Sequence, residues 1–359
     1  MYLKDLHILN FKSWEEAKFE FSPKLNCFVG LNGSGKTNLL DAIHYLSLTK
    51  SYFSSRDNRS IKNDADFFMI EANLQRKEED VQLYCALKKG QKKVFRKDKK
   101  EYEKLADHIG YFPAVVISPY DRDLITDSAD IRRRFTDNVI SQGNSTYLHH
   151  LLRYNKALQQ RNSLLKFFAA NHKFDQDSLD IYDYQLAEHG EYIYAQRLEF
   201  AAVLKPRIQH YYELISQGRE EASIIYQSQR HALGFFDLFK QAQTRDRQLQ
   251  YTSAGLHRDD LIFRLNGESI KHYGSQGQQK SLLIALKLAQ YEFIRDHQNL
   301  VPVLLLDDIF DKLDESRVAT LVKLVHDEDF GQIFITDTHT VRTVELVRQI
   351  DANAKIFEI

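Results

Sequence analysis

The chain has 359 residues, and its 49 Lys and Arg residues nearly balance its 50 Asp and Glu residues, which leaves a formal charge of −1 at pH 7. This length predicts about two domains, and an aromatic content of 12% with almost no net charge excludes a disordered chain. The same balance excludes a uniformly basic nucleic-acid protein, so a nucleic-acid surface has to be a local patch. Cys27 and Cys85 are too few for a disulfide framework or a cysteine zinc site.

The sequence predicts a cytoplasmic protein with no membrane association. Residues 1–11 lack the apolar core of a secretory signal, and no stretch approaches the roughly 18 uncharged apolar residues of a membrane helix. The 14 histidines show no metal-ligand spacing, so we also expect no zinc.

The first third of the chain is predicted to form strands around one helix. Apolar residues alternate near the N-terminus, and the apolar run Leu25–Val29 leads into a glycine-rich segment. Residues 36–48 carry an apolar stripe at helical spacing. Residues 66–95 alternate apolar and polar side chains, which predicts antiparallel strands.

The middle of the chain is predicted to be a helical insert. Residues 144–168 and 179–216 have helical spacing, and Pro206 is expected to kink or break the second helix. Strand patterns return at residues 222–226 and 261–265.

The C-terminal third alternates helix and buried strand. It predicts a helix over 281–294, a strand over 301–306, a helix over 316–326 and a strand over 332–335. This rhythm is typical of a partly parallel sheet. The predicted fold class is therefore α/β, a mixed sheet with flanking helices and an inserted helical subdomain.

A phosphate-binding loop is the strongest functional signal. The segment Gly30–Thr37 reads GLNGSGKT and matches the pattern G-x-x-x-x-G-K-[ST] between a predicted strand and a predicted helix. Its main-chain N–H groups and the helix N-terminus would hold phosphates, Lys36 would reach the β- and γ-phosphates, and Thr37 would ligate Mg²⁺. The predicted ATP-binding set is Gly30, Leu31, Asn32, Gly33, Ser34, Gly35, Lys36, Thr37 and Asn38.

Paired acids follow a buried strand in the segment VPVLLLDDIFDKLD, residues 301–314. A carboxylate delivered beside a phosphate loop is typical of a nucleotide site that holds Mg²⁺. We therefore assign Asp307 to magnesium. We assign Asp308, together with Lys36, to catalysis, with Asp308 orienting or deprotonating the attacking water.

The segment YGSQGQQK before the helix predicted at 281–294 resembles the signature motif of the ABC-type ATPase superfamily. That resemblance implies that the motif covers the γ-phosphate of ATP held by a second subunit. The residues concerned are Ser275, Gln276, Gly277, Gln278 and Gln279. ATP would then hold two heads together.

Beyond the superfamily, the chain resembles the RecF family of bacterial recombination-repair proteins. Segments in that family's order run from Asn10 to Asp314, among them GLNGSGKTNLLDAIHYLS, KSYFSSRD, RNSLLK, HRDD, GSQGQQKS and LLLDDIFDKLD. The resemblance implies an ABC-type P-loop ATPase head, residues 1–118 and 245–359, with a helical arm, residues 119–244. The resemblance also implies that the arm is short and that the chain lacks the long coiled coil of SMC proteins.

The resemblance also implies a function. Such proteins dimerise on ATP, bind double-stranded and gapped DNA, hydrolyse ATP slowly, and promote RecA loading with RecO and RecR in DNA replication, repair and the SOS response. The chain departs from the family's usual pattern at Tyr120, Lys280 and Lys312. His339, in TDTHT after the last predicted strand, is a candidate switch contact to the γ-phosphate, and a plain strand-end turn is the competing interpretation.

Three further segments stay open between a functional and a structural interpretation. Residues 88–100 carry eight Lys or Arg residues and one Asp, which is typical of a solvated hairpin turn or of a DNA-phosphate surface. Residues 132–134 and 257–260 are either DNA or nucleotide contacts or internal ion pairs.

The main alternative function is the ATP-hydrolysing subunit of an ABC-type membrane transporter, which shares all three nucleotide motifs. A small-molecule P-loop kinase would not need the signature segment. A nuclease on an ABC-type head would need a further acidic domain, for which the length leaves no room.

Overall fold

The computed structural model describes residues 1–218, 220–309 and 330–359. The helix predicted over 316–326 and the family departure at Lys312 lie outside the described residues. The strands are β1 Tyr2–Phe11, β2 Trp14–Glu20, β3 Leu25–Val29, β4 Phe67–Arg76, β5 Glu79–Lys88, β6 Val94–Lys97, β7 Lys100–Glu101, β8 Ala114–Ile117, β9 Ala222–Gln227, β10 Asp260–Leu265, β11 Glu268–Ser269, β12 Val303–Asp307, β13 Ile333–Asp337 and β14 Lys355–Glu358.

The α-helices in these ranges are α1 Lys36–Leu48, α2 Asp123–Thr126, α3 Ala129–Gly143, α4 Ser145–Asn171, α5 Gln176–Ser216, α6 Phe235–Leu249, α7 Ile270–Tyr273, α8 Gln276–Gln298 and α9 Thr340–Ile350. Short 3₁₀ turns lie at Asp57–Ser60, Leu105–His108, Pro119–Arg122, Gln229–His231 and Leu256–Arg258. Helix α5 continues through Pro206. The proline therefore does not break the helix, which was one of the two expected effects.

The chain divides into two compact units. The first contains Met1–Arg122, Tyr211–Gly218 and Leu283–Ile359, and the second contains Asp123–His210 and Arg219–Leu282. This division differs from the expected head and arm, because residues 245–282 group with the second unit. The reason is strand pairing: β10 pairs antiparallel with β9, from Asp260 opposite Gln227 to Leu265 opposite Ala222. Such a long-range pairing leaves no local signal in the sequence.

A six-stranded sheet of order β2-β1-β4-β5-β6-β7 forms one layer of the first unit, and all its pairings are antiparallel. Its strands alternate in burial, as strands do when one face covers a core. The apolar side chains of that face pack with helix α1, whose Leu39, Ile43 and Leu46 are fully buried.

A five-stranded sheet of order β14-β3-β13-β12-β8 forms the other layer of the first unit, and every pairing in it is parallel. Strands β3, β12 and β13 are buried along their whole length, which is why the sequence shows continuous apolar runs there. Parallel strands end at the same edge of a sheet. The residues that follow β3, β12 and β13 are therefore brought to one place.

The second unit combines helices α2 to α4, most of α5, and helices α6 and α7 with the three-stranded sheet β11-β10-β9. Its interior holds an ion-pair cluster around the fully buried Arg161, in the RNSLLK segment. The guanidinium lies 2.5 Å from Asp183 Oδ1 and 2.7 Å from Asp246 Oδ2. The described part of the chain contains no helix that combines the length and apolar character of a membrane span.

Candidate nucleotide site

The glycine-rich loop connects the end of β3 to the start of α1. Gly30 has no room for a side chain, because a Cβ there would collide with the main-chain carbonyl of Ile359. Gly35 has a φ of +105° and lies against the indole of Trp14, whose Nε1 donates to the Gly35 carbonyl at 3.1 Å. Both positions therefore require glycine. The crest of the loop, Leu31 to Gly33, is exposed.

Two side chains of the loop fit a phosphate group. Lys36 is buried, and its Nζ donates to the carbonyl oxygens of Gly30 and Leu31, each at 2.8 Å. The ammonium group thus lies over the loop, where phosphate oxygens could take the place of the two carbonyl oxygens as its hydrogen-bond acceptors. The Ser34 hydroxyl is buried and has no hydrogen-bond partner among the described residues. An orphaned donor in this place fits a phosphate oxygen as its partner.

Asp307, the last residue of β12, collects hydroxyl groups from three other segments. Its Oδ1 accepts from Thr37 Oγ1 at 2.8 Å and from Thr336 Oγ1 at 2.9 Å, and its Oδ2 accepts from Ser118 Oγ at 3.1 Å. Burial raises the pKa of the Asp307 carboxyl. The three hydrogen bonds act in the opposite direction, because they stabilise the charged carboxylate. A hydroxyl and a carboxylate in contact supply the oxygen ligands that Mg²⁺ prefers.

Asp308 follows with a left-handed backbone, φ +49°, which turns the chain at the edge of the sheet. Its main-chain N–H donates to the Thr336 hydroxyl at 3.1 Å and lies 3.2 Å from the Thr336 carbonyl oxygen. The side chain is half-buried. The backbone of Asp308 is therefore fixed independently of its carboxylate.

His339 lies between β13 and helix α9, with an exposed side chain. The preceding Asp337 is buried and organises this connection: its Oδ1 accepts from the N–H of Thr338 at 2.6 Å and from that of His339 at 3.2 Å. The same carboxylate accepts from the Thr343 hydroxyl. The turn is thus rigid at its backbone while the imidazole stays open to solvent.

The signature segment belongs to the second unit and forms the start of α8. Ser275 and Gln278 make a reciprocal cap: Ser275 N donates to Gln278 Oε1 at 2.7 Å, and Gln278 N donates to Ser275 Oγ at 3.3 Å. Gln279 is buried and donates to the carbonyls of Ile270 and Gly274, each at 3.2 Å. Ser275 and Gln276 are exposed. The two later glutamines hold the turn, and the serine end faces solvent.

The basic segment at residues 88–100 forms the β5–β6 turn, strand β6 and the turn that follows. Lys93 in this segment is half-buried: Nζ lies 2.7 Å from Asp57 Oδ2 and 2.5 Å from the Thr49 carbonyl oxygen. This lysine fastens the turn to the segment after α1. The other lysines of the β5–β6 turn are exposed, namely Lys88, Lys89 and Lys92.

The arginine run at residues 132–134 and the HRDD segment at residues 257–260 interact with each other in the second unit. Arg132 is buried and makes a two-point ion pair with Asp260, at 2.7 and 2.9 Å. Arg133 donates to the Asp259 carbonyl at 2.7 Å. Burial lowers the pKa of His257 to about 4. Arg132 and Asp260 therefore form an internal ion pair, whereas Arg134 and Arg258 are exposed.

Sequence reasoning missed three residues that surround the candidate site. Ser118 lies near Tyr120, and Thr336 lies in the segment that contains His339. The sequence drew attention to Tyr120 and His339, but it is Ser118 and Thr336 that contact Asp307. Trp14, the chain's single tryptophan, contacts the loop at Gly35. A small hydroxyl residue at a strand end was the only available signal. Among the described residues, no group of three or more His, Cys, Asp or Glu side chains could hold a metal ion.

The family model described as "RecF/RecN/SMC N terminal domain" matches residues 2–358. The chain is 48% identical to the "DNA replication and repair protein RecF" of Flavobacterium johnsoniae, with 100% of both chains covered. It is 46% identical to the protein of the same name from Phocaeicola vulgatus, covering 100% of this chain and 96% of the relative.

Solved structures give the same result. A structure of "the recombination mediator protein RecF-ATPrS in RecFOR pathway" matches with a TM-score of 0.87 and 29% identity, over 100% of this chain and 96% of the other. The head domain of an Smc protein from Pyrococcus furiosus matches with a TM-score of 0.56 and 16% identity, over 96% of this chain and 91% of the other, which shows a shared fold.

Proposed function

The chain belongs to the RecF family of DNA replication and repair proteins, and from this premise we propose that it is a DNA-binding ATPase of recombinational repair. Two copies would close on ATP, grip DNA, and open when ATP is hydrolysed. The observation that carries the proposal is the joining of Thr37 in the loop to Asp307 at the end of β12. This contact joins the glycine-rich loop to a buried carboxylate, which supports a single site for phosphate and Mg²⁺.

In this proposal, residues 30–38 hold the triphosphate of ATP. Because Gly30 and Gly35 lack a Cβ, the backbone can adopt the tight conformation of this loop. Lys36 would exchange its two carbonyl partners for phosphate oxygens, and the unpartnered Ser34 hydroxyl would gain one. RecF structures described with ATP and with ATPrS support this choice of nucleotide.

Thr37 and Asp307 would hold Mg²⁺. When bound, the ion neutralises phosphate charge and so assists attack at the γ-phosphate. Ser118 and Thr336 donate to the Asp307 carboxylate from two other segments and would fix its orientation. The three hydroxyls also favour the charged form of a carboxyl whose pKa burial raises.

Asp308 would orient the attacking water and accept its proton. Its main-chain N–H donates to the Thr336 hydroxyl, so the backbone from which the carboxylate extends is fixed. An Asp is shorter than the Glu common elsewhere in the superfamily and reaches less far, which fits slow hydrolysis. His339 would contact the γ-phosphate from its rigid turn.

Ser275 and the residues after it would complete the ATP site of a second copy. The capped start of α8 leaves the serine end exposed, as a contact across a dimer requires. Main-chain N–H groups at a helix start attract anions. ATP would therefore act as the link between two chains.

The DNA surface would be the β5–β6 turn together with the segment that Lys93 holds against it. Exposed Lys88, Lys89 and Lys92 would contact the DNA backbone, and so would the exposed Arg56. Two such turns in a dimer would give a near-neutral chain a local basic surface. We further propose binding to gapped DNA, cooperation with RecO and RecR in loading RecA, a part in the SOS response and a cytoplasmic location.

A DNA-binding assay with a salt titration tests the proposal. Full-length protein should retain duplex and gapped DNA more tightly with ATP than without it, with affinity falling steeply as salt rises. Protein that retains no DNA under either condition would refute the function. The alternative as a transporter subunit has no support, since the matched family and relatives are RecF proteins.

A further inference from the structure

Two histidines on different helices of the second unit point the same ring nitrogen at each other. His150 on α4 and His189 on α5 have their Nδ1 atoms 3.3 Å apart. Their rings are 5.1 Å apart between centroids and nearly perpendicular, with an interplanar angle of 81°. His189 is buried and His150 is half-buried. The pair is therefore well defined and still reachable from solvent.

The orientation of the His150 ring is set from its other side. Tyr192, one turn along α5 from His189, stacks on it with centroids 4.4 Å apart and an interplanar angle of 22°. The Tyr192 hydroxyl in turn accepts from Asn144 Nδ2 at 3.2 Å. The imidazole is thus held in place before any ligand arrives, which lowers the entropy cost of binding one.

The two distances match those of two imidazoles on one tetrahedral metal ion. With metal–nitrogen distances of about 2.0–2.1 Å, tetrahedral geometry puts two ligand nitrogens roughly 3.3–3.4 Å apart and the ring centres roughly 5.2 Å apart. The observed nitrogen separation is longer than the commonest N–H···O distance of about 2.9–3.0 Å. The spacing fits a shared cation, which would replace the long Nδ1–Nδ1 hydrogen bond between the two rings.

Contrary to the expectation of no zinc from histidine spacing, we propose that His150 and His189 form a two-histidine site for a divalent transition-metal ion such as Zn²⁺, which would link helices α4 and α5. Neutral imidazole suits Zn²⁺, Ni²⁺ and Cu²⁺, whereas Mg²⁺ prefers oxygen, so the site is chemically distinct from that of ATP. The remaining coordination positions belong to water, because no third ligand converges on the pair within the described ranges. The bound ion is consequently exchangeable.

Charged groups around the pair set its cation affinity. Glu188, beside His189 on α5, exerts a favourable negative charge on both imidazoles. Arg153 and His149 on α4 act in the opposite direction, Arg153 by its fixed charge and His149 when it is protonated. An ion bound here would add a second link between two helices that the Arg161–Asp183 ion pair already joins.

Zinc titration of nucleotide-free, chelator-treated full-length protein tests the site. By calorimetry, the wild-type chain should bind one equivalent of Zn²⁺ that Mg²⁺ does not replace, and Zn²⁺ should raise the melting temperature. His150→Ala and His189→Ala should each lose this equivalent, while His272→Ala, at an exposed histidine of the same unit, should keep it. If both variants keep the zinc stoichiometry and melting shift of the wild type, the proposal is wrong.

A measurement on the wild-type chain covers the case in which a variant fails to fold. With ¹⁵N-histidine labelling, one equivalent of Zn²⁺ should move the Nδ1 resonances of exactly two histidines together, and replacing His150 or His189 by Gln should identify them. Shifts spread over several of the 14 histidines, with no coupled pair, would show adventitious surface binding and overturn the site.

Discussion

Thr37 Oγ1 donates to Asp307 Oδ1 at 2.8 Å across 270 residues of sequence. The contact exists because β3 and β12 both run parallel to β13, so the residues that follow them reach the same edge of the sheet. A glycine-rich loop that opens a helix thereby meets a carboxylate that ends a buried strand. The proposed binding and hydrolysis of ATP depend on this contact between Thr37 and Asp307.

Removing the charge of Asp308 should separate ATP binding from ATP hydrolysis. In Asp308→Asn the main-chain contact to Thr336 survives, so the site keeps its shape. We expect hydrolysis to fall by roughly 10² or more, as for a lost general base, with ATP affinity unchanged. Phosphate release measures the first quantity and the fluorescence of Trp14 the second.

Asp64→Asn is the matched control, because it removes an exposed carboxylate elsewhere in the first unit. If Asp308→Asn turns over ATP at the wild-type rate, another residue positions the water.

A bulky charge at Ser275 should block dimerisation and spare the monomer. In Ser275→Arg the side chain would occupy the exposed end of α8, where the partner's ATP is proposed to lie. We expect no ATP-dependent dimer by sedimentation, with unchanged nucleotide binding by the single chain. Glu268→Arg, exposed on β11 of the same unit, should still dimerise. Loss of nucleotide binding by the Ser275→Arg monomer would show that the signature segment is misassigned.

Neutralising the β5–β6 turn should weaken DNA binding in a salt-dependent way. The triple variant Lys88→Gln, Lys89→Gln, Lys92→Gln should flatten the plot of log affinity against log salt by about 0.9 per lost phosphate contact. Lys99→Gln with Lys100→Gln, in the next turn, is the control, because Asp98 and Glu101 flank that turn. Equal slopes for the triple variant and wild type would exclude this surface while leaving DNA binding itself intact.

Acid should destabilise the chain through its buried histidines. Burial lowers the pKa of His44, His108 and His257 to about 4, below the ordinary 6.5. Their stabilising contribution is complete above pH 6.5 and is lost as the pH falls toward 4, because the unfolded chain binds protons first. From pH 6.5 to 5 each should cost up to about 2 kcal/mol of unfolding free energy.

Urea denaturation at pH 7 and pH 5 measures this effect. His108→Gln, which keeps a donor for the Leu46 carbonyl and does not titrate, should lower the pH sensitivity by the share of one histidine. Equal urea midpoints of the wild type at the two pH values would contradict the account.

The parts of the fold that depend on local patterns were predictable. The helix expected over residues 36–48 has the observed bounds of α1, because its apolar stripe and the glycine before it are local signals. The strands expected at 301–306 and 332–335 are observed at β12 and β13, shifted by one or two residues. The α/β fold class with an ABC-type ATPase head is confirmed by the family and structural matches.

What failed or was missed depends on contacts between distant segments. The expected boundary at residue 245 stays a prediction, and the pairing of β9 with β10 over a long connection is not visible in local patterns. The contacts of Ser118 and Thr336 with Asp307 arise because β8 and β13 flank β12 in the sheet. The same holds for His150 and His189, whose approach requires two helices to be docked. Spacing along the chain carries no record of such contacts.

Sedimentation of the full-length chain with and without ATP–Mg²⁺ tests the central claim most directly. The account predicts a monomer without nucleotide and a dimer with it, a dimer that Lys36→Met abolishes and that Lys24→Met, at an exposed lysine before β3, preserves. Wild-type protein that is saturated with ATP and still sediments as a monomer would contradict it.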